Sequence, residues 1–536
     1  MGKRKRDTAE EHRSTPASRS AKEQEAASQS TDAAANDHVT IQIITGSYER
    51  VLHGITAEIP RIAAGPPERK GEAGVTFSDT FLFHAHTSSI RCLALSPPPS
   101  PADASDRNQK VLLATGSSDE RINLYQLSAA PPPRNHEVSS IPSLVNVAAT
   151  ENPKNRELGS LIHHSGSVTA LHFPTRSKLL SSAEDSTIAI VRTRDWTVLS
   201  TIKAPIPKAQ GRPSGDTVPP GGVPAGVSDF AVHPSMKLML TVGKGEKCMR
   251  LWNLVTGKKA GVLNFGKEIL QGVGEGKWAS GEGRRVLWNQ KGDEFAVGFE
   301  KGAVVFGLNS KPKGRILPSP PTKIHQMRYL DLSAITKNSN SKSDGNESLN
   351  VLAASTEDGR IMFYSTVVQE TLEAGTDSSE VGIPNCRLLG QLGGQDVGSN
   401  GRIKDFDILQ VPFRSPEQEE LGFIAVTGSS DGTIRLWRIK VHEMLDPAKT
   451  NSSSARGKQS PAIRVGSGNA EGKADATRTN CPPTRQIGSL AGAYETGNRI
   501  ICLKAFVMVG HADVGDGGEV NGEALGREMD VESSDN

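Results

Sequence analysis

Three features of this 536-residue chain carry residue types that could do chemistry. Gly428-Ser429-Ser430-Asp431-Gly432 fits the G-x-S-x-G pattern of a nucleophile elbow, in which a strand, a sharp turn and a helix lift a serine into an active site. The residues that follow, Thr433-Ile434-Arg435-Leu436-Trp437, alternate like a strand and not a helix, so a serine hydrolase is not expected. Gly272-Val273-Gly274-Glu275-Gly276-Lys277 has the look of a phosphate cradle. The Walker pattern would need Gly at Gln271 and Ser or Thr at Trp278, and the dinucleotide pattern fails at Lys277, so the stretch reads as a flexible loop. The histidines are scattered; His84 and His86 share the lead-in to one blade-like unit and His163 and His164 the next, but no further ligands converge on them at metal-binding spacing. No catalytic residue, cofactor, metal or small-molecule substrate is therefore expected.

Asp431 belongs instead to a spacing that occurs seven times: an acidic residue ending a small-residue run, with an apolar or aromatic residue six positions later. The pairs are Glu49 with Ile55, Asp119 with Tyr125, Asp185 with Val191, Glu246 with Trp252, Glu300 with Phe306, Asp358 with Tyr364 and Asp431 with Trp437. Each copy reads as a strand, a tight turn at the acid and a second strand with alternate residues on opposite faces. Ile434 and Leu436 face one way while Arg435 and Trp437 face the other, so both faces need cover. Apolar runs such as Ile90–Leu95 and Val168–Phe173 precede the copies as first strands. The expected fold is all-β, a seven-bladed WD40 β-propeller. Val39–Glu49 begins at a second strand with no first strand before it, and Arg499–Phe506 is a first strand with no complete unit after it. One blade built from both termini would close the ring and remove its free edges.

In such repeats the lead-in histidine, a strand hydroxyl, the turn acid and a following aromatic pin the blade. The candidates for this network are His86, Ser117 (or Thr115), Asp119, Tyr125, His164, Asp185, Trp252, Asp358, Asp431 and Trp437. The blade ending at Trp437 departs from the pattern, with Gly393-Gly394-Gln395-Asp396 where Gly-His is expected.

Composition bounds the remaining choices. Hydrophobic content is 35% and aromatic content 4%, which points to a core diluted by disordered inserts, and a net charge of +2 argues against a uniformly basic nucleic-acid binder. The five cysteines, Cys92, Cys248, Cys386, Cys481 and Cys502, form no Cys-x-x-Cys pair and suit a reducing compartment. No apolar run reaches the length of a membrane span, and the N-terminus lacks a signal peptide's apolar centre, so a soluble intracellular protein is expected. Residues 1–38 read as a disordered arm opened by Lys3, Arg4, Lys5 and Arg6, a candidate nuclear import signal. Residues 39–510 hold the propeller, with disordered inserts notably at 129–156, 204–226, 331–349 and 441–485. Residues 511–536 form an acidic tail, also expected to be disordered.

Several segments carry more than a generic repeat. They include Thr45-Gly46-Ser47-Tyr48-Glu49, His86–Ala94, Gly116–Ile122, Gly166–Leu171, Leu180–Asp185, Arg250–Gly257, Lys291–Gly298 and Gly401–Phe406. Together they resemble the maintenance-of-killer-eleven family of fungal WD-repeat proteins, whose animal counterparts are the p21-activated-kinase-interacting proteins. The resemblance runs from about Val39 to Phe506. It implies a non-catalytic nucleolar scaffold for large (60S) ribosomal subunit assembly and rRNA maturation, with pre-60S assembly factors as partners and pre-rRNA as a candidate contact. It also implies, as an alternative, a negative regulator of p21-activated kinase; a ubiquitin-ligase substrate adaptor follows from the fold by analogy alone. A monomer within a larger particle, in the nucleus and nucleolus, is expected. Family members often end in a lysine-rich tail, whereas this chain ends acidic. Residues beside the acidic turns fall on one rim, making Tyr48 and Phe299 candidate partner anchors and Arg91, Arg121, Arg402 and Lys404 candidate phosphate contacts.

Overall fold

The computed structural model describes residues 38–61, 74–98, 110–131, 152–206, 226–276, 279–332, 350–367, 382–399, 401–414, 419–445 and 485–509. Lys3, Arg4, Lys5 and Arg6, the acidic tail and most insert residues lie outside this set. The described residues form seven antiparallel four-stranded sheets, the blades of a β-propeller. Six blades use consecutive strands. The seventh joins the two ends of the ring: the strand Ile500–Val507 pairs with His38–Ser47, which continues to Val51–Pro60 and Thr76–His84.

The alternation read from the sequence explains how the blades pack. Ile434 and Leu436 belong to the apolar cluster shared with Ile41, Ile43 and Ile55 of the split blade, whereas Trp437 and Ile439 sit with Val351, Ile361 and Phe363 of the preceding blade. Seven such clusters lie between the seven neighbouring pairs of blades. The core is thus a ring of interfaces, because each sheet must bury both faces.

Two backbone features explain residues on either side of the acids. Gly116 sits where a Cβ would come 2.6 Å from Cγ1 of Val168 in the next blade, and at Gly46 it would come 2.7 Å from Cγ2 of Ile90. The residue after the acid is often left-handed: Arg50 at φ 72°, Glu120 at 68°, Ser186 at 62°, Gly359 at 83° and Gly432 at 86°. That conformation turns the chain between twisted antiparallel strands.

Three details differ from the sequence reading. Gly272, where the loop was expected to begin, instead ends a short helix, Lys267–Gly272, whose Ile269 and Leu270 pack on a blade interface; Lys277 lies outside the described residues. The insert expected from 441 opens with a helix, Val441–Leu445, because Val441 and Met444 have an apolar cluster to bury into. Ala129, Ala130 and Asn152, at the ends of the insert expected at 129–156, are buried. The elbow-like Gly428–Gly432 is a strand-to-strand turn between Glu419–Ser429 and Thr433–Lys440.

Candidate functional site

The residues that looked chemical are occupied in holding blades. Asp119 sits at its turn because Ser117 Oγ, itself donating to the carbonyls of Ser88 and Ser89, accepts from the Asp119 amide. The Asp119 carboxylate accepts from the Thr87 amide at 3.0 Å and the Arg121 amide at 3.1 Å, and contacts His86 Nδ1 at 3.1 Å. The other ring nitrogen of His86 meets Thr115 Oγ1 at 2.7 Å. The hydroxyl in this relay is therefore Thr115; Ser117, two positions on and on the same face of the strand, anchors the turn instead. Tyr125 is buried beside Phe83, ring centroids 5.7 Å apart.

The next blade repeats the arrangement. His164 Nδ1 contacts Asp185 at 3.2 Å, its Nε2 meets Ser181 Oγ at 2.8 Å, and the Ser165 amide donates to Asp185 at 3.0 Å. Val191 takes the aromatic position and is fully buried. Elsewhere other partners serve. Trp252 Nε1 donates to Thr241 Oγ1 at 2.9 Å, Asp358 accepts from Thr356 and from the Arg360 guanidinium, and Asp431 accepts from Ser429 and from the Thr433 amide. The lead-in of the Trp437 blade is also not where the sequence suggested. Gln395–Val397 forms a 3-10 turn, and the residue four before the inner strand, where His86 stands before Ile90, is the buried Ser399 before Ile403. In the split blade Glu49 accepts from the Arg499 amide at 2.9 Å, and the Tyr48 amide donates to the Arg499 carbonyl at 2.9 Å. The turn acid fastens the lead-in there as Asp119 does, across the two ends of the chain.

Electrostatics follow from this packing. Burial lowers the His86 and His164 pKa values, although Asp119 and Asp185 oppose it. Burial, then neighbouring His164, lowers His163 to about 4, and burial, then Lys404, lowers His325 to about 4. Burial raises the Asp119 and Asp185 carboxyls, but their hydrogen bonds outweigh it and leave both below the usual range. A histidine depressed in the fold but ordinary in the unfolded chain contributes stability that is complete above about 6.5 and lost as pH falls toward 4. The urea midpoint is thus expected to decline steadily from pH 7 to 4.5, and His163→Gln to make the decline shallower. A flat profile in the unaltered protein would contradict this account.

The rim separates the remaining candidates. Tyr48 is 59% exposed, with the Arg499 guanidinium 5.5 Å from its ring centroid. Phe299 is not on the exposed surface: it is 1% exposed and packs edge-on against Phe265 at 5.0 Å, under the segment that contains Lys267–Gly272. Arg91 pairs with Glu184 at 3.8 Å and Arg402 with Glu357 at 3.3 Å, while Arg121 is exposed. Lys404 turns toward the channel, its Nζ 3.4 Å from His325 Nε2.

That central channel, about 750 Å³, is lined by the innermost strand of each blade. Its polar residues link neighbours around the ring. Thr169 Oγ1 donates to the Val227 carbonyl at 2.7 Å, Asp229 accepts from the Val286 amide at 3.1 Å, and Arg285 Nε donates to the His325 carbonyl at 3.2 Å. Arg328 reaches Asp405 at 3.4 Å, and Asp405 and Asp407 accept from the Leu503 and Ala505 amides at 3.0 and 3.3 Å. These inter-blade residues were not anticipated. Their signal was a carboxylate or hydroxyl alternating with apolar residues in an inner strand, as in Lys404-Asp405-Phe406-Asp407. Among the described residues no cluster of three or more potential metal ligands occurs, and no helix is long and apolar enough to cross a membrane.

Seven four-stranded blades, turn acids and histidine–hydroxyl relays define a WD-repeat β-propeller, and residues 155–191 and 420–438 match the family model described as WD domain, G-beta repeat. The chain is 30% identical over 413 residues to "p21-activated protein kinase-interacting protein 1-like" of Danio rerio, covering 77% of this chain and 76% of that protein. It is 27% identical over 438 residues to "Protein MAK11" of Saccharomyces cerevisiae, covering 77% and 81%. "Shk1 kinase-binding protein 15" of Schizosaccharomyces pombe matches at 24% over 223 residues, 42% of this chain and 46% of that protein. This chain belongs to the p21-activated-kinase-interacting and MAK11 family of WD-repeat proteins.

Proposed function

We propose that this protein is a non-catalytic scaffold in large ribosomal subunit assembly and rRNA maturation, working in the nucleus and nucleolus and docked mainly through pre-60S proteins. The observation that carries the reading is the use of the chemically capable groups: His86, Asp119, His164, Asp185 and Asp431 are all engaged in fastening blades. The ring's exposed loops are then its means of action. The relationship to Protein MAK11 across most of its length supports this reading. Depletion is expected to lower free large subunits relative to small ones and to accumulate precursor rRNA. Normal subunit balance with normal precursor levels would end the proposal.

A second reading has its own support, since two of the relatives are named for binding a protein kinase. If this ring regulates such a kinase, a purified regulatory fragment of it should bind the exposed rim around Tyr48, and Tyr48→Ala should weaken that binding at least tenfold. No association at micromolar concentrations would remove this reading. Co-purification with pre-ribosomes or with a ubiquitin-ligase core separates both from an adaptor role.

A further inference from the structure

Both faces of the ring carry basic residues, some paired and some not. On the face of the acidic turns, Arg91, Arg284, Lys323 and Arg402 are paired with Glu184, Glu300 or Glu357, while Arg50, Arg121, Lys247 and Lys301 are exposed and, among the described residues, in no ion pair. The opposite face carries the turns between first and second strands and between third and fourth strands, because antiparallel strands return to the same end. Over the three blades whose inner strands are Val168–Thr175, Val227–Val232 and Arg285–Trp288, those turns and their flanks carry Lys178, Arg194, Lys237, Lys258, Lys291 and Lys311. All six are exposed, and among the described residues none is in an ion pair. The two exposed carboxylates beside them are engaged: Asp195 holds Arg192 at 2.8 Å, and Asp293 accepts from Asn289.

Several of the turns that carry these residues are tied down. Arg176 Nη2 donates to the Lys110 carbonyl of the preceding blade at 2.5 Å, and Thr193 Oγ1 ties the outer turn to the Arg176 carbonyl at 2.7 Å. The next two blades are joined where His233 Nε2 meets the Gly292 carbonyl at 3.0 Å. Unpaired cations fixed on a rigid surface are suited to a regular polyanion, since neutralising phosphates releases condensed counterions. Among the described residues the exposed large apolar side chains in these turns include Met236, Val255 and Leu308, while Trp196 and Trp288 are partly buried, Trp196 against an apolar cluster with Leu171 and Phe173 and Trp288 against Phe295. With its rings packed down in this way, the surface suits a duplex gripped by its backbone better than a splayed single strand.

We propose that this face binds duplex RNA through its phosphates, without reading sequence. The choice of RNA among polyanions rests on the ribosomal reading above. The anticipated phosphate contacts Arg91 and Arg402 are then mainly rim ion-pair partners, and the RNA lies on the other side of the ring.

The test uses the full-length protein and a fluorescein-labelled RNA duplex of about two helical turns, with anisotropy read from about 50 to 200 mM salt. Lys178→Glu, Lys237→Glu, Lys258→Glu and Lys291→Glu together are expected to weaken binding at least about 30-fold, and the matching Lys→Gln set to reduce the log–log salt slope by about 3 to 4. Replacing Arg91, Arg121, Arg402 and Lys404 with Gln should change affinity less than about threefold, as should replacing Lys3, Arg4, Lys5 and Arg6 with Ala. Thermal unfolding confirms that each variant is folded, and the Gln set serves if the Glu set is not. The proposal is overturned if the unaltered protein does not bind, if the rim or arm variant alone loses binding, or if a matched DNA duplex binds more tightly. Displacement of the RNA by a poly-glutamate peptide at lower concentration than by unlabelled RNA would overturn it in favour of an acidic protein. Such failures would leave depletion phenotypes and co-purification with pre-ribosomes untouched, so the scaffold reading is judged separately.

Discussion

A chain ending at Gly497, lacking the strand Ile500–Val507, is expected not to form the ring, whereas one ending at Val509 should unfold cooperatively at the full-length midpoint. The removed strand is the inner member of the split blade and pairs with His38–Ser47 from Ile41↔Val507 to Ser47↔Ile500. It buries Ile500, Cys502, Leu503 and Phe506, each 4% exposed or less, in the interfaces with both neighbouring blades. Removing buried side chains of this size costs about 2 to 5 kcal/mol each, so the sum rivals the about 5 to 15 kcal/mol that holds a typical domain folded. It would also bare the edge of His38–Ser47 to intermolecular pairing. Yield of soluble monomer and urea unfolding followed by tryptophan fluorescence measure the outcome. A shortened chain with an unchanged midpoint would show that the terminal strand is not what closes the ring.

Asp405→Ala should be the most damaging single change in the channel wall. Asp405, 6% exposed, accepts from the amides of Phe406 at 2.9 Å and Leu503 at 3.0 Å, and faces Arg328 at 3.4 Å. Alanine leaves a buried amide unsatisfied at the junction with the split blade and strips Arg328 of its nearer carboxylate. Losing one member of a buried pair costs about 3 kcal/mol or more. Arg91→Gln, by contrast, removes only a half-exposed pair with Glu184 and should barely move the midpoint. Equal, small effects of the two substitutions in urea titrations would refute the latching role of Asp405.

The two predictions differ in how far a reader of the sequence could have reached them. The split blade was legible, because a strand lacking its predecessor and a strand lacking its successor are visible at the two ends. The alternation in Thr433–Trp437 likewise foretold that each sheet buries both faces, since strand periodicity is local. Asp405 was not legible as a latch. Its partners belong to Leu503 and Arg328, 98 and 77 residues away, and only the curvature of the ring brings them near. Phe299 was misplaced for a related reason. The turn geometry put it at the rim, but the segment of Lys267–Gly272, whose helical pattern is only six residues long, folds over it. Strand alternation could not separate Ser117 from Thr115, since residues two apart share a face; only the approach of His86 Nε2 to Thr115 Oγ1 does so.

The bond between Glu49 and Arg499 joins residues 450 positions apart. During synthesis, the strand His38–Ser47 is therefore made early and waits for its inner partner while the rest of the ring is translated. At about 5 to 20 residues per second that interval is on the order of a minute, long compared with the folding of an individual hairpin. The nascent protein spends this time as an open arc with one adhesive edge, and its fate in a crowded cell depends on what shields that edge until the last strand arrives.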